Sequence, residues 1–456
     1  MDIKSFSSLE DTIVAIATPS GQGGVGIVRL SGQNAKIIAQ KIFSTKQMFQ
    51  HGVMNYGHVV DKHHETIDDG YAVYFQAPHS FTGEDVIEIQ IHGSPYTLSK
   101  TVSVCIEQGA RLAEAGEFTK RAFFNEKIDL LQAEAVSELI SAQSEKEAIV
   151  SRKRLDGKLS EVIESVRKNV LAVLSELEAD VDFPEENLEL SYKDALVVKI
   201  DEVKMKLQHI LQTYKQNEKI RDGFRVCFVG KPNSGKSSLF NVLLQDERAI
   251  VNERAGTTRD TISEEIILEG QRVKLFDTAG LRDQTTDEIE KEGMKRSFAH
   301  INNADLVCVI ADAQEDIDQQ LIASLHHAKE VWLLWNKMDL VPTKPQAPKQ
   351  FSNVFYVSCK TQFGIQDFLN TLTQMVGAQQ VMEYGGGISN DRHRSLLQHA
   401  LVQIEESKAS LEKGDSPDLV AFTFRQVFSS LNQLLGVQDG LEEMLSHIFS
   451  TFCIGK

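Results

Sequence analysis

The sequence has 456 residues, of which 41% are hydrophobic, and it carries 48 Lys and Arg against 65 Asp and Glu, a net charge of −17 with neutral histidines. This length corresponds to about three domains, and the apolar fraction excludes a wholly disordered chain. The acidic balance argues against a protein that coats nucleic acid through its overall charge, although it does not exclude a local basic surface.

The first part of the chain, up to about residue 125, is predicted to be a mixed α/β module. β-Branched runs bounded by turn residues alternate there with segments of helical spacing. The predicted strands are 12–18, 26–30, 70–75 and 85–91, and the predicted helices are 34–43 and the stretch after Tyr96. The glycine-rich segment 21–26 superficially resembles a dinucleotide-binding loop, but it runs into a strand instead of a helix, so we expect a turn.

Two stretches of helical periodicity flank a second α/β region. Apolar residues recur every three or four positions from Leu159 to Ile210 and again from Leu397 onwards. Between them, from Arg225 to about Val381, strands alternate with helices, which predicts βαβ units and a largely parallel sheet. Neither helical stretch is rich enough in apolar residues to be stable alone, so we expect the two to pack into one domain that carries the α/β region as an insertion.

The expected fold class is therefore multidomain α+β and α/β. The predicted domains are an N-terminal module at 1–125, a helical domain in two parts at 126–219 and 382–456, and the inserted α/β domain at 220–381.

Cysteine usage and hydropathy predict a soluble, cytoplasmic protein. The cysteines are scattered and lack paired metal-ligand spacing, which fits a reducing compartment; they are Cys105, Cys227, Cys308, Cys359 and Cys453. No basic region precedes an apolar stretch at the N-terminus, so no signal peptide is expected. The longest apolar runs fall far short of the ~20 residues that cross a bilayer, so we expect no membrane association.

A phosphate-binding loop is predicted after the first strand of the inserted domain. Gly230-Lys-Pro-Asn-Ser-Gly-Lys-Ser237 fits GxxxxGK[ST] between an apolar strand and an apolar-periodic helix, the context that this motif requires. Backbone N–H groups of such a loop surround the β-phosphate, Lys236 supplies charge to the β- and γ-phosphates, and Ser237 supplies a hydroxyl to Mg²⁺. A glycine turn without a ligand is the weaker alternative.

Three further segments, each at the C-terminal end of a predicted strand, favour GTP over ATP. In Asp277-Thr278-Ala279-Gly280, Asp277 can hold the Mg²⁺ shell and the Gly280 N–H can sense the γ-phosphate. In Asn336-Lys-Met-Asp339, the carboxylate can accept both N–H donors of the guanine edge, and Lys337 can lie along the base. Ser358-Cys-Lys360 can close over the base.

Hydrolysis at this site is expected to depart from the small-GTPase plan. The residue after Gly280 is Leu281, whose alkyl side chain cannot orient the attacking water as a glutamine does in many GTPases. The P-loop carries Asn233, whose carbonyl oxygen can help hold a monovalent cation beside the phosphates. Such an ion neutralises charge where other systems insert an arginine.

Two residues outside the P-loop complete the predicted machinery. Thr258, in Gly256-Thr-Thr-Arg-Asp260, is the candidate for a second Mg²⁺ hydroxyl, with a plain glycine-threonine turn as the alternative. Glu290, in the acidic run 287–292, is the candidate for activation of the water, with a solvated surface charge as the alternative.

Three weaker features leave alternatives open. The segment 116–129 is dense in charge and aromatics, but a linker with a solvated face would look similar. Cys453 lies near the C-terminus, where an inert helix-end cysteine is the common case. A basic stretch, which either contacts RNA phosphates or is a solvated helix face, comprises Arg152, Lys153, Arg154, Lys158, Arg167 and Lys168.

The chain resembles the MnmE (TrmE) family of bacterial tRNA-modification GTPases over essentially its whole length. Other P-loop GTPases share only the middle motifs. The segments that carry the resemblance are DTIVAIATP, GGVGIVRLSG, GEFTKRAFFNEKIDLLQAEAV, DFPEEN, GKPNSGKSSLFN, AGTTRD, DTAGLR and FCIGK. The resemblance implies an N-terminal folate-binding and dimerisation module, a discontinuous helical domain and an inserted G domain.

The resemblance also implies an activity, cofactors and partners. With MnmG (GidA), an FAD- and NADH-dependent protein, the family forms a heterotetramer or larger complex. It installs an aminomethyl or carboxymethylaminomethyl group at carbon five of the wobble uridine of certain tRNAs. Hydrolysis of GTP is stimulated by K⁺ through dimerisation of the G domains. The implied ligands are GTP, Mg²⁺, K⁺ and a tetrahydrofolate derivative (5-formyl- or methylene-tetrahydrofolate), and the implied state is a homodimer.

The resemblance places the family's functional residues on this sequence. The implied folate contacts are Arg29, Glu88, Lys127 and Lys456. The implied K⁺ site comprises Asn233, Asn252, Arg254 and Thr257, the Mg²⁺ ligands are Ser237 and Thr258, and the catalytic residues are Glu290, Lys236 and Cys453. The expected GTP-binding set is Asn233, Ser234, Gly235, Lys236, Ser237, Ser238, Asn252, Glu253, Arg254, Ala255, Gly256, Thr257, Thr258, Asp277, Thr278, Ala279, Gly280, Asn336, Lys337, Asp339, Ser358, Cys359 and Lys360.

Two other functions are compatible with the P-loop motifs. One is a ribosome-assembly GTPase, in which the nucleotide only switches RNA binding; the other is a scaffold that binds GTP without turnover. The N-terminal module and the terminal FCIGK argue against an assembly GTPase, which has no reason to carry them.

Overall fold

A computed structural model describes residues 11–182, 190–245, 263–277, 300–377, 386–437 and 442–455. The chain divides into two compact units. The first comprises Met1–Ser141, Ser151–Leu207 and Ser395–Lys456, and the second comprises Ala142–Val150 and Gln208–Arg394. No helix within the described ranges is both long and apolar enough to cross a membrane.

The first unit contains a seven-stranded sheet in the order β3-β4-β5-β6-β2-β1-β7. Its strands are β1 (Ile13–Ile16), β2 (Gly23–Ser31), β3 (Phe43–Ser44), β4 (Met54–Val60), β5 (Thr66–Phe75), β6 (Val86–Gly93) and β7 (Arg111–Leu112). Neighbouring strands are antiparallel except β1 and β7, which are parallel. The predicted mixed α/β module is confirmed, with β3, β4 and β7 as strands that the sequence analysis missed.

Three helices belong to this module: α1 (Ala35–Ile42), α2 (Pro95–Glu107) and α3 (Glu117–Phe124). Because side chains alternate across a strand, Val28 and Leu30 of β2 enter a core shared with Ile38 of α1 and Leu98 of α2. The intervening Arg29 lies on the opposite face of the sheet. The same alternation thus separates Arg29 from the apolar residues of its own strand.

The prediction of a turn over residues 21–26 was wrong for most of that segment. Strand β2 begins at Gly23, and its register against β6 shifts between Gly23 and Gly26. A Cβ atom on Gly26 would lie 2.6 Å from Cδ1 of Leu98. The glycine therefore serves close packing of α2 on the strand, which local sequence reasoning cannot distinguish from turn formation.

Long helices make up the rest of the first unit and part of the second. They are α4 (Leu130–Ser141), α5 (Glu145–Leu155), α6 (Lys158–Asp182) and α7 (Leu190–Asp222). Within the first unit, α6 packs along a helix from the C-terminal stretch that spans Pro417–Leu435. The apolar stripes of the two separate helical stretches are thus buried against each other, as their marginal individual stability leads one to expect.

The second unit contains a six-stranded sheet in the order β13-β12-β11-β8-β10-β9. Its strands are β8 (Phe224–Val229), β9 (Ser263–Leu268), β10 (Gln271–Asp277), β11 (Leu306–Asp312), β12 (Val331–Asn336) and β13 (Asn353–Tyr356). All neighbours are parallel except β9 and β10, so the predicted largely parallel sheet is confirmed.

Further helices complete the described chain. They are α8 (Lys236–Gln245), α9 (Gln319–Ala323), α10 (Ile365–Gly377), α11 (Asp391–Lys413) and α12 (Pro417–Leu435), followed by α13 (Glu442–Ser450) near the C-terminus. In the second unit the sheet is buried on both faces, because alternate residues such as Phe228 and Cys227 enter separate apolar cores. A sheet covered on both sides leaves its strand ends as the place where a polar ligand can bind.

Candidate functional site

The carboxyl ends of the parallel strands in the second unit meet along one edge of the sheet. The phosphate-binding loop follows β8, Asp277 ends β10, and Asn336 ends β12. Register brings these ends level: Asp277 is opposite Phe228, and Asp312 is opposite Asn336. The motifs found in the sequence therefore converge on a crevice of the kind in which open α/β sheets bind ligands.

Two glycines of the phosphate-binding loop have no room for a side chain. A Cβ atom on Gly230 would lie 2.2 Å from the carbonyl oxygen of Ile310. Gly235 has a φ of +98°, and a Cβ there would lie 1.9 Å from Nδ2 of Asn336. The loop therefore packs closely against the ends of β11 and β12 before it enters α8 at Lys236. The N-terminus of a helix that follows such a loop favours an anion.

Lys236 and Ser237 place a cation and a hydroxyl at the start of α8. The Lys236 side chain is buried, and its Nζ donates hydrogen bonds to the carbonyl oxygens of Gly230 at 2.9 Å and Lys231 at 2.8 Å. The ammonium thus spans the loop that is predicted to surround the phosphates. The Ser237 Oγ lies 3.5 Å from Oδ2 of Asp277. A hydroxyl beside a carboxylate is a set of hard oxygen donors that fits Mg²⁺.

Asn336 connects the phosphate side of the crevice to the base side. Its buried Nδ2 donates to the Ser234 carbonyl at 3.0 Å, and its Oδ1 accepts from the Cys359 N–H at 3.2 Å. One amide thereby fixes the P-loop against the segment 358–360. The sequence assigned both segments to one nucleotide, and the structure brings them together.

Ser358 orients the carboxylate that is predicted to read the base. Its Oγ donates to Oδ1 of Asp339 at 2.6 Å and accepts from the Thr361 N–H at 3.2 Å. Asp339 itself is exposed, within the short 3₁₀ turn Met338–Leu340. A carboxylate that is held at one oxygen and open to solvent can accept two parallel N–H donors from a ligand.

Lys337 has a partner that the sequence analysis missed. Its Nζ lies 2.7 Å from Oδ2 of Asp312, the last residue of β11. Burial raises the pKa of Asp312, but hydrogen bonds from Lys337 and from the Gln314 N–H outweigh that effect and hold the pKa below its usual range. The sequence did contain a signal for this partner, because Asp312 is an acidic residue at the end of a strand that is otherwise apolar.

A second cluster of polar residues lies on the face of the first unit's sheet that carries Arg29. Arg29 of β2 and Glu88 of β6 are directly opposite each other, and Nε and Nη2 of Arg29 both lie 2.8 Å from Oε1 of Glu88. The guanidinium also lies 5.6 Å from the centre of the Phe118 ring. The structure therefore pairs two of the four residues that the resemblance assigned to folate.

The C-terminal segment runs beside this pair. Nη1 of Arg29 donates to the Gly455 carbonyl at 3.2 Å, and Ile454 forms an antiparallel bridge with Ala115. A Cβ on Gly455, whose φ is +93°, would lie 2.3 Å from the Ile16 carbonyl oxygen. Cys453 is exposed at this position. Ile454 and Gly455 of the terminal FCIGK are thus built into the first unit, against β1 and β2.

Lys127 lies at a different point of the same module. Its Nζ donates to the Pro78 carbonyl at 3.0 Å, and its side chain lies near Gly83. Lys456, the fourth implied folate contact, lies outside the described residues. The juxtaposition of all four residues stays a prediction.

The segment 116–129 is not a solvated linker. Residues 117–124 form α3, and the Arg121 side chain is completely buried. Its guanidinium contacts Asp11 at 3.0 Å, Glu117 at 3.0 Å and Glu84 at 3.1 Å, while Arg111 bonds both Asp11 and Glu117. A buried cation requires such partners. The density of charge in this segment reflects an internal ionic network that secures α3 beneath β1.

The same network shifts the titration of its carboxyl groups. A hydrogen bond from Arg111 is the main reason that the pKa of Asp11 is lowered. Burial raises the pKa of Glu117, but hydrogen bonds from Arg111, the Glu114 N–H and Arg121 outweigh it and hold the pKa below its usual range. Both groups are therefore more stable as carboxylates in the folded chain.

The basic stretch 152–168 is not uniformly solvent-facing. Arg154 is buried, with Nη1 at 2.6 Å from Oε2 of Glu138, so it is not available to RNA. The exposed Arg152 and Lys158 and the partly exposed Arg167 each pair with an acidic residue three or four positions away in the chain. These pairs favour the interpretation of a solvated helix face.

Several predicted site residues lie outside the described parts of the chain. They are Asn252, Glu253, Arg254, Ala255, Gly256, Thr257, Thr258, Thr278, Ala279, Gly280, Glu290 and Lys456. Ser238 and Lys360 are exposed at the edge of the crevice.

Comparison with known proteins gives matches over almost the whole chain. A model described as the MnmE helical domain matches residues 130–453, and one described as the GTP-binding protein TrmE N-terminus matches residues 12–127. A tRNA modification GTPase MnmE from Aquifex aeolicus is 40% identical over 451 residues, covering 98% of this chain and 100% of the relative. Proteins of the same name from Enterococcus faecalis and Streptococcus thermophilus are each 38% identical, with 98% of both chains covered.

Proposed function

The chain belongs to the MnmE family of tRNA modification GTPases, and on that premise we propose that it couples K⁺-stimulated GTP hydrolysis to folate-dependent modification of a wobble uridine. The product is an aminomethyl or carboxymethylaminomethyl group at carbon five of the base. The observation that carries this proposal is the Arg29–Glu88 pair with the Gly455 carbonyl beside it. A GTPase that only switches RNA binding has no need of this second polar cluster.

At the nucleotide site, binding and hydrolysis are divided among separate groups of the chain. Backbone N–H groups of the P-loop and the Lys236 ammonium hold the β- and γ-phosphates, which carry the charge that develops during cleavage. Ser237, Asp277 and Thr258 would hold Mg²⁺, which supplies neutralising charge when it is bound. Glu290 is the proposed group that orients or deprotonates the attacking water.

An alkali cation is proposed to replace the absent glutamine and arginine. Asn233 is exposed in the P-loop, and its side-chain oxygen is a carbonyl donor of the kind that replaces the hydration shell of K⁺. The backbone around Asn252, Arg254 and Thr257 would supply further oxygens. The cation contributes positive charge near the phosphates when it is bound.

Base selection is proposed to depend on Asp339. Its carboxylate, oriented by Ser358 at 2.6 Å, accepts the two N–H donors of guanine. Adenine does not present two donors in that arrangement. Lys337 lies along the base, and the segment Ser358–Lys360 covers its edge.

The cluster on the first unit is proposed to bind a tetrahydrofolate derivative, either 5-formyl- or methylene-tetrahydrofolate. Glu88 is suited to accept the ring N–H donors of a pteridine, and Arg29 is suited to hold acceptors, because its fork of donors is already fixed by Glu88. Lys127 and Lys456 are suited to attract the carboxylates of the folate tail. Cys453, exposed beside this cluster, is the proposed thiol of the modification step.

The proposed assembly is a cytoplasmic homodimer that acts with MnmG (GidA) in a heterotetramer or larger complex on tRNA. The net charge of −17 disfavours broad electrostatic binding of RNA by this chain alone. We therefore assign part or most of the tRNA contact to the partner protein.

Isothermal titration of the full chain with 5-formyl-tetrahydrofolate tests the proposal. Wild type is expected to bind, and Arg29→Ala is expected to lose binding because the arginine donors and the support of Glu88 disappear together. Arg425→Ala removes an exposed arginine that is paired with Glu178, and it is the matched control, expected to bind as wild type does. Absence of folate binding in wild type, with GTP binding intact, would instead support the assembly-GTPase alternative.

Hydrolysis rates in K⁺ and Na⁺ address the remaining alternative. A family GTPase is expected to turn over faster in K⁺. Equal and negligible rates in both salts would support the scaffold that binds GTP without turnover.

A further inference from the structure

Asp312 and Lys337 end adjacent parallel strands and meet above the edge of the sheet. Asp312 is the last residue of β11, and its register partner is Asn336, the last residue of β12. Lys337 directly follows Asn336. The Lys337 Nζ lies 2.7 Å from Oδ2 of Asp312, with the carboxylate side chain 11% exposed and the lysine side chain 32% exposed. This is a largely shielded ion pair within the nucleotide crevice.

The main chain fixes the carboxylate independently of the lysine. Oδ1 of Asp312 accepts from the Gln314 N–H at 3.0 Å, and the Asp312 carbonyl accepts from the Glu315 N–H at 3.0 Å. The Ala313 N–H donates to the Asn336 carbonyl at 2.9 Å, which extends the pairing of the two strands beyond their ends. Each carboxylate oxygen therefore has its own donor: the Gln314 N–H for Oδ1 and the Lys337 ammonium for Oδ2.

Lys337 in turn adopts a backbone conformation that lysine rarely takes. Its φ is +63°, in the left-handed region, which costs a non-glycine residue free energy unless its surroundings compensate. The conformation directs the side chain back along the end of β11 instead of into solvent. The Asp312 carboxylate is the partner that receives it.

We propose that Asp312 is a positioning residue for recognition of the guanine base. By holding the ammonium of Lys337, it stretches the alkyl part of that side chain into the place where the face of the base lies. The inference rests on the proposed function, in which Lys337 lies along the base. Because a lysine fixed beforehand loses less rotamer freedom on binding, the ion pair increases affinity for the nucleoside part of the ligand.

The ion pair also keeps the positive charge of Lys337 at the base end of the crevice. An unpaired ammonium at this edge would be drawn toward the phosphates, whereas Asp312 compensates that charge at the base end of the crevice. Phosphate binding is thereby left to Lys236 and the P-loop amides. We expect the effect of Asp312 to fall on nucleotide affinity and KM more than on kcat.

A neighbouring ion pair provides the matched control. Glu315 lies three residues further along the same loop and contacts Lys231 at 3.4 Å, but both side chains are well exposed. Exposed pairs of this kind contribute little. Glu315→Gln therefore removes the same charge from the same loop without touching Lys337.

The experiment is isothermal titration of the full chain with GDP, accompanied by steady-state GTP hydrolysis. Asp312→Asn is expected to raise the Kd for GDP about 5- to 10-fold, the scale of immobilising one long side chain on binding, and to change the KM for GTP more than the kcat. Glu315→Gln is expected to match wild type. Asp312→Glu keeps the charge and is expected to recover part of the affinity, and it serves as a second variant if Asp312→Asn does not fold.

A double-mutant cycle with Lys337→Gln separates positioning from a general effect on the loop. If Asp312 acts through Lys337, the double variant is expected to bind GDP no more weakly than Lys337→Gln alone. Additive losses, or an unchanged Kd for Asp312→Asn, would overturn the proposal. Failure of the wild type to bind GDP would instead contradict the proposed function of the crevice.

Discussion

Arg29 and Gly455 are 426 positions apart in the chain, yet the Arg29 guanidinium donates a hydrogen bond to the Gly455 carbonyl over 3.2 Å. The same guanidinium is held by Glu88 on the adjacent strand. Gly455 is therefore part of the polar cluster on the first unit. A change at the C-terminal end is expected to alter the affinity for any ligand that Arg29 binds.

Gly455→Ala is expected to weaken binding of 5-formyl-tetrahydrofolate about 10-fold or more, the scale of losing one charge-assisted contact. The new Cβ would lie 2.3 Å from the Ile16 carbonyl at a φ of +93°, so the terminal segment must move away from Arg29. Isothermal titration measures the change.

The control for this prediction is Gly414→Ala. Gly414 has a φ of +77°, but a Cβ atom added there would have no neighbouring atom within 4 Å, so this variant carries the backbone strain without the collision. Equal folate affinities in the two variants would mean that the terminal segment does not contribute to the site.

Asp339→Asn is expected to weaken GTP binding about 100-fold and to raise the relative affinity for XTP. Xanthine presents a carbonyl oxygen where guanine presents an amino group, and an asparagine amide can donate to it while a carboxylate cannot. Ser358→Ala frees the carboxylate and also removes the acceptor of the Thr361 N–H, and it is expected to produce a smaller loss without a change in base preference. Competition of GTP and XTP for the full chain measures both, and retention of guanine preference in Asp339→Asn would refute the assignment.

Asn233→Ala is expected to abolish the difference between hydrolysis rates in K⁺ and Na⁺, because it removes the side-chain oxygen proposed for the cation. Asn233 has a φ of +62°, so an alanine there adds backbone strain. Asn233→Gly removes the same oxygen without that strain and is the companion variant. If K⁺ stimulation persisted in both variants, the cation would have to bind elsewhere.

Arg121→Met is expected to lower the free energy of unfolding by about 3–5 kcal/mol, since it removes the buried cation that Asp11, Glu84 and Glu117 share. Arg425→Met breaks an ion pair with Glu178 in which both side chains are about half exposed, and it is expected to cost under about 1 kcal/mol. Urea unfolding at neutral pH compares them. Similar losses in both variants would show that the buried network contributes no more than a surface pair.

The network also predicts how the first unit responds to acid. The pKa of Glu117 is lowered in the folded chain, so its contribution to stability is complete above its unfolded pKa of about 4.3 and is lost as pH falls through the lower folded pKa. The free energy of unfolding is therefore expected to fall as the pH drops below about 5. Glu117→Gln should flatten this slope, and an unchanged slope would place the acid sensitivity in other carboxyl groups.

Most of the nucleotide crevice was predictable from the sequence. Each motif follows an apolar strand, and parallel strands in one sheet necessarily bring their carboxyl ends to the same edge. Lys236, Asp277 and Asn336 could therefore be placed together from spacing alone. Asp312 was missed because a single acidic residue after a strand has no motif around it, and its role depends on which strand is its neighbour.

The sequence by itself determined most of the elements, the largely parallel sheet and the chemistry of the phosphate loop, because these depend on periodicity and on residues within a few positions of one another. Only the tertiary structure decided that Arg121 is buried, that Gly26 accommodates a helix instead of forming a turn, and that Gly455 reaches Arg29. Those outcomes depend on which distant segments become neighbours. Burial of a charge or the absence of space for a Cβ atom is a property of that neighbourhood and not of the residues that flank it in the chain.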